Sequence, residues 1–368
     1  MSRGALFDPL FGADRVAARL DDAAWVAALL AVEVALVRAA AAHGVVPAAH
    51  AEAIALAAAR LELDPAELGR ASVAGGNPVI PLVRALRAAA GDAAASVHPG
   101  ATSQDVLDTA AVLLAGWAGE VVLDDLRGAA DAAAGLAAAH RTTPLLARTL
   151  GQDALPTTFG LVAAGWCAGL DRARTALAGV LGALPVQLGG PAGTLDGLPP
   201  AVAGDVAAAL GLTDPGAPWH TERTRIGELA AALGVAAGAC AKPAVDVVLH
   251  AGRGEVGEAA PGGSSSMPHK RNPIAAVTAR GAARRAPGLV AVLLAAMDGE
   301  HQRAAGAWHS EWETLADLLR AAGGAAARLR TSLEGLTVHA DVLARGLPAA
   351  PDAGRAPELV DRLLSARP

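Results

Sequence analysis

Residues 261–273 read PGGSSSMPHKRNP, the densest collection of groups able to do chemistry in this chain. Gly262 and Gly263 permit positive φ, Pro268 and Pro273 exclude helix interior, and the serines, His269, Lys270 and Arg271 add hydroxyls and cations. A polar, cationic loop between two strongly helical segments is either a solvated linker or an anion-binding lid for a carboxylate-rich substrate. A second segment, 97–110 (VHPGATSQDVLDTA), places Thr102 three residues before Asp105, the spacing of a capping box. Read alone it is an N-cap; its N–H groups and the positive end of the helix dipole could also hold a carboxylate. A third, 147–160 (ARTLGQDALPTTFG), offers Thr149, Gln152 and Asp153.

Helices must position these segments. The chain has 368 residues, 53% hydrophobic and 18% charged, with 3 Phe and no Tyr, and so poor an aromatic content suits closely packed Ala- and Leu-rich helices. Helical periodicity is nearly continuous and strand alternation nearly absent, so the expected class is all-α. One pattern covers 14–43, with shorter helices at about 48–62 and 79–90. Long ones follow at roughly 104–140, 155–183, 221–251, 274–297 and 308–339, with a Gly/Pro-rich connection at 188–200. The expected division is an N-terminal helical domain (1–99), a central long-helix bundle (100–346) carrying the loop 261–273, and a short C-terminal remnant (347–368). Helices this long suggest an extended bundle whose outer faces pack on other subunits.

A net charge of −6 argues against nucleic acid. Cys167 and Cys240 allow neither a metal-binding spacing nor a disulfide framework, which points to a reducing, cytoplasmic setting. Asp8 and Asp14 interrupt the N-terminal apolar stretch, so no secretory signal is expected, and no run reads as a membrane span.

The string GSSSMPHKRNP resembles the signature G-S-S-x-M-P-x-K-x-N-P of the fumarase/aspartase superfamily and matches every fixed position. The resemblance implies a fumarase/aspartase-like bundle, with the base role on Ser264 and oxyanion and carboxylate contacts on Lys270 and Asn272, beside Met267. Serine is too weak an acid to serve as a base unaided, so Lys270, loop amides and exclusion of water must stabilise its alkoxide. Segment 97–110 is similar to the family's H-x-G-x-T-S-x-D region, which makes His98, Thr102, Ser103 and Gln104 substrate-binding candidates. Segment 147–160 resembles the R-T-H-x-Q region and adds Thr149 and Gln152, but Leu150 stands where relatives carry a histidine that assists the general acid.

Residues 7–12 (FDPLFG), 76–83 (GNPVIPLV), 218–225 (PWHTERTR) and 300–314 (EHQRAAGAWHSEWET) resemble the 3-carboxy-cis,cis-muconate cycloisomerase branch, where a bulky apolar residue at position 150 is common. This similarity implies lactonisation through an enediolate, without metal or organic cofactor. It adds Arg303 and His301 as substrate contacts, and Trp219 and His220 as walls. It also implies a homotetramer whose sites draw on three subunits and bind a small polycarboxylate.

Two departures stand out. After Leu347 the chain passes almost at once to 353–364 (AGRAPELVDRLL), which resembles the family's extreme C-terminus, so most of the third domain is expected to be truncated. Arg253 stands where the branch tends to have Gln. Alternatives are a lyase for an amino-succinyl or nitro-dicarboxylate substrate, and a catalytically silent oligomeric paralogue.

Overall fold

A computed structural model of the chain describes residues 6–263 and 266–368. Two short turns, α1 (Asp8–Phe11) and α2 (Asp14–Ala17), precede α3 (Asp22–Ala42). The single helix expected over 14–43 is therefore broken, because Asp21 turns extended and its carboxylate caps the next helix through the Ala24 N–H at 2.8 Å. Then come α4 (Ala48–Arg60), α5 (Pro65–Ser72) and α6 (Val79–Ala89).

The long elements follow. Helix α7 (Ser103–Ala139) leads to a hairpin of β1 (Pro144–Thr149) and β2 (Gln152–Thr158), and α8 (Phe159–Leu181) returns along α7. Helix α9 (Ala201–Leu210) sits in the connection, before α10 (Thr224–Gly252) and the short β3 (Val256–Gly257). Helices α11 (Ile274–Ala283) and α12 (Ala286–Ala295) run back, α13 (Ala307–Glu334) runs forward, and β4 (Thr337–Val338) pairs with β3. The chain finishes with α14 (Ala340–Leu343) and α15 (Ala356–Ser365), the latter docked on α8.

Three details correct the sequence reading. The helix expected from 155 begins only at Phe159, because β2 pairs antiparallel with β1 through Thr158. The stretch 274–297 divides at Arg284–Arg285, just ahead of Pro287, which lacks the N–H a continuous helix would need. And three helical stretches, Asp14–Ala42, Ser103–Ala139 and Thr224–Gly252, are long and apolar enough by length and composition to cross a membrane. In the bundle α7 and α10 both pack on α8 and α13, which buries most of the α7 stretch and a smaller share of α10.

At about 1.5 Å per residue, the 37-residue α7 spans roughly 55 Å and the 29-residue α10 roughly 43 Å. The bundle thus has two well-separated ends. Alanine lines its axis: Ala110, Ala118, Ala129, Ala130, Ala244 and Ala325 are all fully buried, which lets helix axes approach closely.

Candidate active site

The first end is organised by Asp105. Its Oδ2 accepts the N–H groups of Thr102 (2.9 Å) and Gly190 (2.8 Å), while Oδ1 accepts the Gly189 N–H (3.0 Å) and lies 2.6 Å from His220 Nε2. The capping residue read from sequence is thus also the knot that ties loop 189–190 and the segment before α10 to the start of α7. Gly190 is required there: its φ is +72°, and a Cβ would come within 2.7 Å of Gly100 O.

A second polar layer lies beneath. Buried Arg223 grips Asp108 with both Nη atoms (2.8 and 3.2 Å) and Glu311 through Nε (3.0 Å) and Nη2. Trp308 Nε1 donates to Asp108 at 2.8 Å, and the Arg223 guanidinium lies 4.8 Å from the Trp219 ring centre. Burial pushes the Glu311 carboxyl above its ordinary range against the pull of Arg223. Burial likewise opposes the charge on Arg223, but Asp108 and Glu311 outweigh it and hold the guanidinium firmly protonated. The network locks α7, α10 and α13 in register, and so fixes where Thr102 and Ser103 stand.

On this platform Arg303 Nη1 donates to the Thr102 hydroxyl at 2.7 Å and Nη2 to Pro191 O at 3.2 Å. His301 is exposed, has a left-handed backbone (φ +49°), and accepts the Thr221 hydroxyl on its carbonyl at 2.7 Å. His98 and Ser103 line a cavity of about 340 Å³ with Val79, Val83, Arg84 and Arg87. A larger groove of about 880 Å³ between α3, α4 and α9 is walled mostly by alanine and leucine, with Arg38, Glu52 and Asp205 as its charged residues and Arg38 already paired with Glu52.

The structure gives Gln104 a different place from the substrate contact expected of it. Its side chain is fully buried, with Nε2 donating to His220 O (2.8 Å) and Asp108 (3.1 Å), because the second residue of α7 faces the core rather than the open helix start. Trp219 is likewise core, its indole N–H donating to Val186 O at 2.8 Å, and His220 is buried against Asp105.

The remaining candidates stand at the other end of the bundle. Thr149 and Gln152 are exposed at the hairpin tip, and Leu150 between them is entirely exposed, with φ +52°. Arg148 anchors this hairpin on Glu255 (Nη1–Oε2 2.9 Å) and on Asp153 (3.3 Å), and His250 Nδ1 sits 2.5 Å from Glu255. Burial alone would raise the Glu255 carboxyl, but hydrogen bonds from Arg148 and His250 prevail and hold it below the usual range. Asp153, whose role the sequence left open, is a member of this cluster, with Arg253 3.7 Å away.

The loop leaves the same end. Gly262 and Asn272 exchange both backbone hydrogen bonds at 2.9 Å, closing its base. Glu258 fixes the exit, accepting the N–H groups of Ala275 (3.0 Å) and Ala276 (2.8 Å) at the start of α11 and the Ser332 hydroxyl (2.6 Å). Met267 and Lys270 are exposed, and Asn272 is half-buried. Ser264, expected to be the base, lies outside the described residues.

One chain therefore groups His98, Thr102, Ser103 and Arg303 at one end, and Thr149, Gln152, Lys270 and Asn272 at the other. Sequence reading missed Glu33, Asp108, Arg148, Arg223 and Glu311. For Glu33 the signal was a charge set in an apolar helical stretch, 31–35 (AVEVA), where burial demands a partner. Among the described residues no cluster of His, Cys, Asp or Glu could hold a metal ion.

Comparison with known proteins supplies the relatives. A profile of the Lyase family matches residues 7–288. The chain is 46% identical over 357 residues to nitrosuccinate lyase of Streptomyces davaonensis, covering 91% of this chain and 75% of that protein. It is 44% identical over 358 residues to 3-carboxy-cis,cis-muconate cycloisomerase of Bradyrhizobium diazoefficiens, covering 94% and 79%. The structure of 3-carboxy-cis,cis-muconate lactonizing enzyme from Pseudomonas putida superimposes with a TM-score of 0.88 at 38% identity, covering 98% of this chain and 87% of that one.

Proposed function

The chain belongs to the Lyase family, as an enzyme of the fumarase/aspartase superfamily, and from that premise we propose that it lactonises 3-carboxy-cis,cis-muconate to 4-carboxymuconolactone. A substrate carboxylate oxygen adds to the double bond, the π pair moves into the neighbouring carboxylate as an enediolate, and the adjacent carbon takes a proton from the Ser264 hydroxyl. Lys270, Asn272 and the loop amides stabilise the serine alkoxide and the enediolate. Arg303, Thr102 and Ser103 hold the remaining carboxylates.

The likeness to the lactonizing enzyme carries this reading, and Leu150 sets it apart from elimination of an amine. An amine leaving group needs a proton donor, whereas a carboxylate, with a pKa near 4, departs or adds without one. An apolar side chain at the hairpin tip suits a reaction whose only proton transfer is to carbon. The electron sink is the substrate's own carboxylate, so the reaction calls for no metal or organic cofactor.

The two groups of candidates, tens of ångströms apart in one chain, support a site completed between copies, and a homotetramer is the assembly proposed. Cys167 and Cys240 are free, buried thiols, in keeping with a cytoplasmic setting. A second reading, elimination of nitrite from nitrosuccinate, draws on the 46% identical relative. Nitrite also leaves unprotonated, so Leu150 does not separate the two. Incubating purified protein with each substrate and identifying the product by NMR does: lactone supports the first reading, and fumarate with nitrite from nitrosuccinate alone supports the second.

A further inference from the structure

Glu33 plays no part in the reaction just described. It lies in the middle of α3, between Val32 and Val34, and is only 1% exposed. A carboxylate buried among aliphatic side chains is costly unless something nearby uses it. Its Oε1 lies 2.7 Å from His98 Nδ1, and its Oε2, also buried, has no hydrogen-bond partner among the described residues. His98 in turn holds a left-handed backbone (φ +61°), uncommon for a residue with a Cβ. Arg87 ties down the preceding residue by donating to Val97 O at 3.3 Å. Two unfavourable features therefore meet at one hydrogen bond, the pattern of a site whose geometry is over-determined for use.

That bond selects the form of the ring. A carboxylate that accepts this bond takes it from His98 Nδ1, which then carries the ring proton. Nε2 is left as the ring's other polar atom, without a hydrogen bond among the described residues, and the ring lines the cavity shared with Arg84 and Ser103. We infer that Glu33 is a positioning residue, which pins His98 in its Nδ1–H form so that Nε2 is presented to a substrate carboxylate in this cavity. When the ring takes a second proton from solvent and donates it in a hydrogen bond to that carboxylate, Glu33 balances the charge. The inference rests on the reading that this end of the bundle binds a polycarboxylate.

The test combines spectroscopy with a double-mutant cycle. In protein labelled with 15N-histidine, with the His98 signals assigned by their loss in His98→Gln, Nδ1 should carry a proton in the resting enzyme. Tricarballylate, a saturated tricarboxylate, should move the Nε2 signal in the wild type and not in Glu33→Gln. In turnover, Glu33→Gln and His98→Gln should each lose about 10- to 100-fold in kcat/KM, the size of a charge-assisted hydrogen bond. The double variant should be no worse than His98→Gln alone. A bare Nδ1 with protonated Nε2, an unmoved wild-type signal, or additive losses would each overturn the inference. The wild-type spectra stand even where Glu33→Gln fails to fold. A wild type that responds to tricarballylate but turns over neither proposed substrate would remove the assigned reaction and leave the role of Glu33 intact.

Discussion

Arg303 Nη1 donates to the Thr102 hydroxyl at 2.7 Å, joining residues 201 positions apart. The contact brings the segment between α12 and α13 onto the start of α7. There a guanidinium, a hydroxyl and the first N–H groups of a 37-residue helix converge.

Replacing Arg303 tests this convergence. Arg303→Ala should reduce kcat/KM about 10- to 100-fold, chiefly through KM, because it removes a carboxylate anchor and leaves the proton-transfer machinery in place. Arg303→Lys should recover only part, since one ammonium cannot reach both Thr102 and Pro191 O as the planar fork does. Steady-state kinetics read both values, and an unchanged KM would contradict the assignment.

Asp105→Asn should destabilise the fold by about 1–3 kcal/mol, because buried donors lose their acceptor. The amide offers one acceptor oxygen where four donors now converge, from Thr102, Gly189, Gly190 and His220. In denaturant unfolding the midpoint should fall with little change in slope.

Much of this architecture was legible in the sequence. The long amphipathic stretches became α7, α10 and α13 within a few residues of the expected ends, because an apolar stripe at helical period leaves few other ways to be buried. The hairpin was not legible: Leu155 read as a helical apolar position, residues 144–149 suggested no element, and only pairing with a partner strand settles both as β. Motif residues such as Thr102 and Arg303 could be named, but their contact is made in three dimensions between distant segments. Glu33 and Arg223 stayed hidden because periodicity says where a charge is buried, not what it meets.

The clip near the hairpin tip should weaken in acid. The Glu255 carboxyl has a folded-state pKa below its unfolded value, so its stabilisation is full above the unfolded value and disappears as pH falls through the folded one. Glu255→Gln should therefore lower the melting temperature at pH 7, and the gap to wild type should close as pH drops below about 4. Paired thermal melts across that interval check it. A gap that widened on acidification would contradict the sign.

Gly190→Ala should cost about 1–3 kcal/mol and displace the 189–190 loop from Asp105, since position 190 is left-handed and its added Cβ would meet a backbone oxygen. Thermal melts give the loss. Activity should fall with it, because this loop carries Pro191, the second acceptor for Arg303.

The central claim is that the 261–273 loop supplies Ser264 for a carbon–proton transfer on 3-carboxy-cis,cis-muconate. Its most direct test is turnover of that compound by purified wild type and Ser264→Ala, followed by loss of ultraviolet absorbance, with circular dichroism confirming that both are folded. Wild type should convert the substrate to lactone, and Ser264→Ala should be slower by about 100- to 10,000-fold, the usual worth of a positioned acid–base group. Turnover unchanged by Ser264→Ala, or no lactone from the wild type, would contradict the account.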